Sequence, residues 1–352
     1  MAMRKLAEAF SRSVVEDIER CSSMKQTGVS LKYMMAFGSK PTAKNLLYAA
    51  QFLHKELPIR LAHRVMELVN LPYGLSSKPP VLTVRDWYVE SFRELRSFPA
   101  VRDTSDELNF TEMIGQIKTR HNNVVPTMAM GVQHLKQDLG HKIVLNELPE
   151  IHQILDRVYM SRIGIRMLIG QHVALHEPDP PPGYIGLICT KTSPVTVAQK
   201  AIDDARAICT RSYGRAPKAH VYGDPNFTFA YVPIHLNLMV FELVKNSLRA
   251  VQECFMGIKQ EIPPIRVVIA DGDEDVTIKI SDEGGGIPRS GLPKIFTYLY
   301  STAESPTEGV SMAGYGYGLP ISRLYARYFG GDLQVISMEG YGVKSNMVSE
   351  WI

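Results

Sequence analysis

The chain has 352 residues, of which 45% are hydrophobic and 21% charged, and its formal net charge is +3. This length allows two domains that each bury a core, and the composition is that of an ordinary globular protein. The small charge, without a long run of like charges, argues against nucleic-acid binding, and no window approaches the roughly 18 apolar residues of a membrane-spanning helix, which argues against membrane insertion.

The first half of the chain has the periodicity of long helices. In residues 45–69, apolar side chains recur at spacings of three and four, which predicts a helix with one buried stripe, interrupted at Pro58. Similar patterns predict helices over 84–95, 110–139 and 151–172. Because no strand pattern intervenes, we expect these helices to form a bundle.

A proline-rich segment, 177–184, separates this bundle from a different pattern. Prolines and glycine cannot continue a helix, so we predict a helical domain over 1–176, a linker over 177–184 and a second domain over 185–352.

The second half mixes strand and helix patterns. Residues 265–270 and 276–281 alternate around Gly272, which predicts a β-hairpin. Helical patterns at 233–255 and 319–329 flank it, so we expect a mixed α/β sandwich.

Four cysteines, Cys21, Cys189, Cys209 and Cys254, are scattered along the chain. They form neither CxxC pairs nor a dense framework, which predicts reduced thiols and argues against structural zinc.

One predicted helix carries a stripe of polar side chains. Glu242 and Asn246 are four residues apart and therefore project from one face, with His235 and Arg249 close to the same stripe. The carboxylate can take a proton while the amide oxygen holds a metal. A long surface helix shows the same stripe, so this helix alone leaves both interpretations open.

Asp282 follows a strand-like run and precedes Glu283 and three glycines. It offers a carboxylate at a sheet edge, where glycine backbone can approach a flat ligand and adenine offers an amino group. A tight turn with a capping aspartate has the same sequence.

Three glycines, Gly314, Gly316 and Gly318, directly precede a helical pattern. Backbone N–H groups there lie at the positive end of the helix dipole, which favours phosphate binding. The segment is not a Walker A loop, because no Gly-Lys-Ser/Thr follows, and it does not open a leading βαβ unit as a dinucleotide fingerprint does.

Together the segments resemble a known set of motifs. ELVKN (242–246), DEGGG (282–286) and GYGYG (314–318) are similar, in this order, to the three boxes of the GHKL ATPases and kinases, which include gyrase, the Hsp90 chaperones, histidine kinases and MutL. The resemblance implies a Bergerat-type α/β sandwich that binds ATP.

Longer strings narrow the resemblance to the mitochondrial pyruvate dehydrogenase kinases, from residue 24 to roughly residue 342. The strings are SMKQ (23–26), RHNNVVPT (120–127), SRIGIRMLI (161–169), FTYLYSTA (296–303) and LPISRLY (319–325). This resemblance implies an N-terminal four-helix bundle, a C-terminal GHKL domain, a homodimer and a location in the mitochondrial matrix. It also implies transfer of the γ-phosphate of Mg-ATP to serines on the E1α subunit of pyruvate dehydrogenase, and docking on the lipoyl domain of the E2 core.

The resemblance also assigns roles to residues. Glu242 would be the general base, Asn246 a Mg²⁺ ligand, Asp282 the partner of adenine, and Arg249 a phosphate contact or an ion-pair partner. The remaining nucleotide-binding residues would be Gly284, Gly286, Ser301, Thr302, Gly314, Tyr315, Gly316, Tyr317, Gly318 and Leu319.

His121 resembles in its position the phosphorylated histidine of two-component kinases. Because transfer in the resembled family goes directly to serine, we expect this imidazole to have a packing or polar-network role.

Three features depart from the family pattern. Leu238 replaces a histidine that many members place one turn before the glutamate, and the segment between Ala303 and Gly314 is short for an ATP lid. Residues 343–352 read VKSNMVSEWI in place of a Thr-Asp pair and a final apolar strand. We therefore expect the last strand and the C-terminal tail to be absent, which would expose a sheet edge.

Three alternatives stay open beside the pyruvate dehydrogenase kinase. One is a branched-chain 2-oxoacid dehydrogenase kinase with the same boxes. Another is a catalytically impaired variant that binds nucleotide or a lipoyl domain. The third is a sensor histidine kinase, against which stands the lack of a sensor or transmembrane segment.

Overall fold

A computed structural model describes residues 2–140, 148–258, 261–272, 275–300 and 316–350. The chain divides into two compact units, Met1–Leu187 and Ile188–Ile352. The division lies just after segment 177–184, whose role as a linker stays a prediction. Within the described ranges, no helix combines the length and the apolar character needed to cross a membrane.

The first unit consists of helices. These are α1 (Ala2–Ala7), α2 (Arg12–Ser22), α3 (Leu31–Gly38), α4 (Ala43–Val69), α5 (Pro79–Ser97), α6 (Thr104–Arg120), α7 (Val124–Leu139) and α8 (Pro149–Ala174). Helix α4 packs against α5, α6 and α8, while α5 also packs against α7 and α6 against α8. The long helices α4, α5, α6–α7 and α8 thus form the predicted four-helix bundle.

Helix α4 contradicts the predicted interruption at Pro58. It runs from Ala43 to Val69 with Pro58 inside it. Leu57 and Leu61 are almost completely buried on either side of the proline. Burial of this stripe offsets the one hydrogen bond that proline removes.

The prediction of a single helix over 110–139 is also wrong, because the structure has two helices there. A 3₁₀ turn at His121–Asn123 separates α6 from α7. Pro126 has no N–H and its ring crowds the carbonyl four residues earlier, that of Asn122. Nη2 of Arg162 donates to the carbonyl oxygens of His121 at 3.1 Å and Asn122 at 3.4 Å, so this break is hydrogen-bonded.

The second unit combines strands and helices. Strand β1 (Tyr184–Ile185) ends the first unit, and the second contains β2 (Ile188–Thr192), α9 (Pro194–Tyr213), β3 (Ala219–Tyr222), β4 (Phe229–Tyr231), α10 (Pro233–Cys254), β5 (Ile265–Asp271), β6 (Asp275–Ser281), α11 (Gly318–Tyr328), β7 (Asp332–Met338) and β8 (Gly342–Glu350). Five of these strands form a sheet in the order β3-β5-β6-β8-β7, and β2 pairs with β4. The four cysteines are free thiols.

The core of this unit lies between the sheet and its helices. Alternate residues of β5 and β6 point inward, among them Val267 and Ile278, and meet Val240 and Val244 of α10. The predicted hairpin is confirmed, since β5 and β6 pair antiparallel from Arg266–Ser281 to Asp271–Val276. This arrangement agrees with the predicted α/β sandwich.

The C-terminal residues correct the expectation of a missing last strand. Strand β8 lies between β6 and β7 and pairs with both. Its alternate residues Ser345, Met347 and Ser349 are buried, and Met347 lies opposite Ile278. The strand is polar in sequence, but period-two alternation still places its one large apolar side chain in the core.

Candidate ATP site

A cavity in the second unit brings the two glycine-bearing segments and α10 together. Of the predicted site residues, it is lined by Glu242, Asn246, Arg249, Asp282, Gly284, Gly286, Gly316, Gly318 and Leu319. Box one and box three are in direct contact, because a Cβ on Gly318 would collide with Oε2 of Glu242. Residues far apart in sequence therefore share one site.

Some predicted contacts fall elsewhere. Ser301, Thr302, Gly314 and Tyr315 lie outside the described residues, as does the predicted short lid. Tyr317 does not line the cavity; its ring packs against that of Tyr298, with centroids 4.9 Å apart. Its role as a nucleotide contact stays a prediction.

The Glu242 carboxylate faces the cavity and is held by a neighbouring cation. Nζ of Lys245 lies 2.9 Å from Oε1 and 2.8 Å from Oε2 of Glu242. The same ammonium lies 5.4 Å from the ring centroid of Phe241. Lys245 is therefore an ionic partner of Glu242 in this site and orients its carboxylate.

The residue one turn before Glu242 is Leu238, which makes apolar contacts. Leu238 packs against the core of the unit. His235, two turns before Glu242, lies against the rings of Tyr325 and Phe329, with centroids 4.6 and 5.9 Å away. Neither residue takes the place of Lys245 beside the carboxylate.

Asp282 is buried at the end of the strand and firmly oriented. Its Oδ2 accepts from Oγ of Ser247 at 2.6 Å, and its Oδ1 accepts from the N–H groups of Gly284 at 3.1 Å and Val343 at 3.4 Å. Burial raises the pKa of the Asp282 carboxyl above its ordinary value, although these hydrogen bonds oppose that shift. The carboxylate is fixed in direction, as recognition of one amino group requires.

Glycine is required at two positions of the site, for a different physical reason at each. A Cβ on Gly284 would lie 2.6 Å from Cβ of Ala250, so glycine is required for the loop to pack against α10. Gly316 has φ +76°, and a Cβ there would lie 2.6 Å from the carbonyl oxygen of Tyr300. Only glycine adopts this left-handed conformation without strain.

Helix α11 begins in the cavity and is anchored at its other end. The N-terminus of α11 has no side-chain cap among the described residues, so its N–H groups favour an anionic ligand. Nε of Arg323 and Nε of Arg327 donate to Oδ1 of Asp332 at 3.0 and 2.9 Å. These bonds tie α11 to β7 and so fix the direction of its N-terminus.

Several cavity residues were not predicted. Lys245 had a weak signal, its spacing of three from Glu242 on a helix. Ser247 of α10 and the β8 residues Val343 and Ser345 carried none, because packing of the helix against Asp282 and pairing of β8 with β6 place them at the cavity.

His121 lies in the first unit, away from these residues in the chain, and is buried. Its Nε2 is 3.1 Å from Oγ of Ser91, and its ring centroid is 4.5 Å from that of Tyr88. Burial lowers the pKa of His121 to about 4. A buried, neutral and hydrogen-bonded imidazole fits the expected polar-network role.

Comparisons with known proteins agree with this geometry. Residues 28–189 match the family described as mitochondrial branched-chain alpha-ketoacid dehydrogenase kinase. Residues 231–348 match the histidine kinase-, DNA gyrase B- and HSP90-like ATPases. The second match spans α10, the DEGGG segment and α11, which form the cavity.

Several relatives match this chain over nearly its whole length, and all of them are named as kinases. The mitochondrial [pyruvate dehydrogenase (acetyl-transferring)] kinase of Arabidopsis thaliana is 64% identical over 352 residues, covering 97% of this chain and 95% of the relative. The kinase of the same name from Schizosaccharomyces pombe is 36% identical, covering 95% of each chain. Isozyme 3 of Homo sapiens is 39% identical, covering 97% of this chain and 86% of the relative. This chain therefore belongs to the pyruvate dehydrogenase (acetyl-transferring) kinase family and carries its GHKL-type ATPase domain.

Proposed function

We propose that the chain is an ATP-dependent protein kinase that phosphorylates serine on the E1α subunit of pyruvate dehydrogenase and thereby inactivates that enzyme. The observation that carries the proposal is the joint placement of Glu242, Asn246, Asp282 and the α11 N-terminus around one cavity. The names of its relatives support pyruvate dehydrogenase as the substrate.

Each side of the cavity suits one part of Mg-ATP. Asp282 would accept from the adenine amino group, and the N-terminus of α11 would bind the phosphates. The amide of Asn246 offers an oxygen ligand of the kind that Mg²⁺ prefers. Mg²⁺ held by Asn246 would neutralise phosphate charge during transfer.

Glu242 is positioned to act as the general base. Its carboxylate would take the proton of the serine hydroxyl as the oxygen bonds to the γ-phosphorus and the bond to the leaving ADP breaks. Lys245 orients this carboxylate, whose two oxygens keep further lone pairs for the serine hydroxyl. Placement of base and metal ligand on one helix keeps both in alignment.

Docking on a lipoyl domain is supported by a second cavity, within the first unit. Its walls are mostly apolar and include Val29, Met34, Phe37, Phe52 and Leu168. A lipoyl-lysine arm is a long apolar chain and would bury its hydrocarbon there. Titration with a lipoylated and a non-lipoylated domain measures this contribution.

Homodimer formation is supported by the outer face of the five-stranded sheet. Tyr222, Val268, Ile336 and Met338 are exposed on β3, β5 and β7, on the side of the sheet away from its core. Exposed apolar surface of this kind favours burial against a second copy. The names of the relatives support a mitochondrial location, and we place the chain in the matrix with its substrate.

The decisive experiment measures phosphate transfer. Purified chain is incubated with labelled ATP and either pyruvate dehydrogenase E1 or branched-chain dehydrogenase E1. We expect label on the first, and Glu242→Gln should lower the rate by about 10²–10⁴-fold because the base is lost. Glu261→Gln makes the same chemical change on an exposed loop and should transfer at the wild-type rate.

Each alternative has its own signature in this assay. An undiminished rate in Glu242→Gln contradicts the proposed base. Preferred labelling of branched-chain E1 favours that substrate instead. ATP binding without any transfer by the wild type indicates an impaired variant, and acid-labile phosphate on the chain itself indicates a histidine kinase.

A further inference from the structure

Three side chains of the kinds that bind metal ions meet in the helical unit, and the functions proposed for the two cavities do not use them. Glu107 lies in the first turn of α6, His172 in the last turn of α8, and His176 just beyond that helix. The side chains of Glu107 and His172 are each 2% exposed and that of His176 is 16% exposed. A buried carboxylate of this kind requires a compensating positive charge.

The ligand atoms of the three side chains converge. Oε1 of Glu107 lies 3.1 Å from Nε2 of His172 and 2.8 Å from Nε2 of His176. The three ligand atoms all lie within 4.8 Å of one another. Oγ of Thr111 donates to the same Oε1 at 2.9 Å, so the carboxylate is held in this direction.

The hydrogen bond on the other side of His176 determines its protonation. Nδ1 of His176 lies 2.9 Å from the carbonyl oxygen of His172. A carbonyl can only accept, so Nδ1 carries the proton and a neutral ring presents the lone pair of Nε2 to Glu107. Two acceptors 2.8 Å apart attract each other only when a second proton or a cation lies between them.

His172 is compatible with the same arrangement. Nε2 of His172 lies 3.1 Å from Oε1 of Glu107 and 2.9 Å from Oγ of Thr111. A carboxylate oxygen accepts, so without an ion this nitrogen carries the proton. Nδ1 has no hydrogen-bond partner among the described residues, so a bound ion would take the place of the proton on Nε2 while Nδ1 carries the ring proton.

We propose that Glu107, His172 and His176 bind a divalent transition-metal ion, for which Zn²⁺ is the best match. Two imidazole nitrogens and one carboxylate oxygen form a known zinc ligand set, with water in the fourth position. Tetrahedral bonds of about 2.1 Å place ligand atoms roughly 3.4 Å apart, so Oε1 of Glu107 has to move away from the two Nε2 atoms by only about 0.3–0.6 Å. The Nδ1–H of His176 on a carbonyl and the hydroxyl of Thr111 on the carboxylate are outer contacts of the usual kind.

Such an ion would have a mechanical consequence. It would join α6 to the end of α8 through three ligand bonds. His172 also lines the apolar cavity of the first unit, so the ion would hold one wall of that cavity in place. The inference rests on the helical unit alone and does not depend on the proposed kinase activity.

Zinc titration of untagged, chelator-treated protein tests the site. Isothermal titration with ZnCl₂ should show one ion bound per chain at this site. His176→Ala and Glu107→Gln should each weaken that binding by at least about 100-fold, since each removes a ligand. Saturating zinc should raise the Tm of the wild type by several degrees and leave that of His176→Ala unchanged.

The controls separate this site from background binding and from misfolding. His134→Ala removes a histidine of α7 outside the cluster and should bind zinc like the wild type. His176 is partly exposed, so His176→Ala is the variant expected to keep its fold, checked by circular dichroism. The proposal is overturned if the wild type binds no zinc, or if His176→Ala binds it equally well.

Discussion

Asp282 shows how a functional side chain is kept in an unfavourable state. Burial raises the pKa of this carboxyl, so the fold favours its neutral form. The contribution of such a group to stability is present below the unfolded pKa and is lost as pH rises through the folded pKa. At neutral pH the ionised carboxylate therefore costs stability that an amide would not.

Asp282→Asn should separate binding from stability. The amide can keep the contacts to Ser247, Gly284 and Val343, because one oxygen still accepts and the nitrogen can donate to the hydroxyl. We expect an unchanged or higher Tm but ATP affinity lowered by about tenfold or more, since a donor would face the adenine amino group. Calorimetry with ATP and a thermal melt measure the two effects; wild-type ATP affinity in the variant would contradict the adenine contact.

His121 predicts a pH dependence of stability. Its pKa in the folded protein is about 4, below the ordinary value of 6.5, because the ring is buried. Its contribution is therefore present above about pH 6.5 and is lost as pH falls toward 4, by about 3 kcal/mol in total. Burial also lowers the pKa of His172, which adds to this loss.

His121→Gln removes the titrating group and retains a hydrogen-bonding side chain near Ser91. The Tm of this variant should fall less between neutral pH and about pH 4 than the Tm of the wild type. His134→Ala is the control, and its profile should follow that of the wild type. Parallel profiles for wild type and His121→Gln would show that His121 does not titrate as inferred.

At the level of elements, α11 depends on its anchor to β7. The Asp332 carboxylate is partly buried, which alone would raise its pKa, but hydrogen bonds from Arg323, Arg327 and the Leu333 N–H hold the pKa well below its usual range. A depressed carboxyl pKa stabilises the fold above the unfolded pKa, and this contribution is lost as pH falls through the folded pKa. The anchor should therefore weaken only in strong acid.

Asp332→Asn should loosen this anchor. The carboxylate is 35% exposed, so solvent screening limits the expected loss to on the order of 1 kcal/mol. ATP affinity should fall several-fold, because the N-terminus of α11 is no longer held toward the phosphates. Thermal melts and ATP titration measure both, with Asp179→Asn on an exposed segment as control; unchanged ATP affinity would show that the anchor does not position the site.

The molecule as a whole presents an unpaired sheet face in its second unit. Val268 is 39% exposed on β5, next to the 52% exposed Tyr222 of β3 in the parallel register. These exposed apolar side chains would be buried between two copies of the chain packed through this face.

Val268→Asp should weaken the proposed dimer by placing a charge in the proposed interface. We expect sedimentation velocity to show monomer at concentrations where the wild type is dimeric. Ile258→Asp places the same charge on an exposed loop residue and should leave the dimer intact. A wild type that sediments as a monomer at every concentration, or a Val268→Asp variant that remains dimeric, would reject this face as the interface.

Much of the fold was predictable from local pattern, and the errors have local causes. Helical and strand periods identified α4, α8, α10, β5 and β6. The pattern over 110–139 continued across Pro126, because periodicity does not register a missing N–H. Strand β8 escaped notice because its buried positions are mostly serine, with Met347 alone carrying the apolar signal.

The candidate site was likewise predictable from the sequence only in part. Glu242, Asn246 and Asp282 were recognisable because their chemistry coincides with motifs whose glycines mark a close approach of backbone. Lys245 carried only the weak signal of its spacing from Glu242. Ser247, Val343 and Ser345 carried none, because each reaches the cavity only through the packing of α10 against the loop or the pairing of β8 with β6.

The sequence by itself determined the helical and the mixed α/β patterns, the family and the side chains proposed to bind ATP and transfer phosphate, because periodicity and short motifs depend on neighbours along the chain. Only the tertiary structure decided that Lys245 holds Glu242, that the C-terminal residues form an interior strand, and that Glu107 meets His172 and His176. These are contacts between segments tens of residues apart, or orientations set by burial, and no local pattern contains the distance between two such side chains.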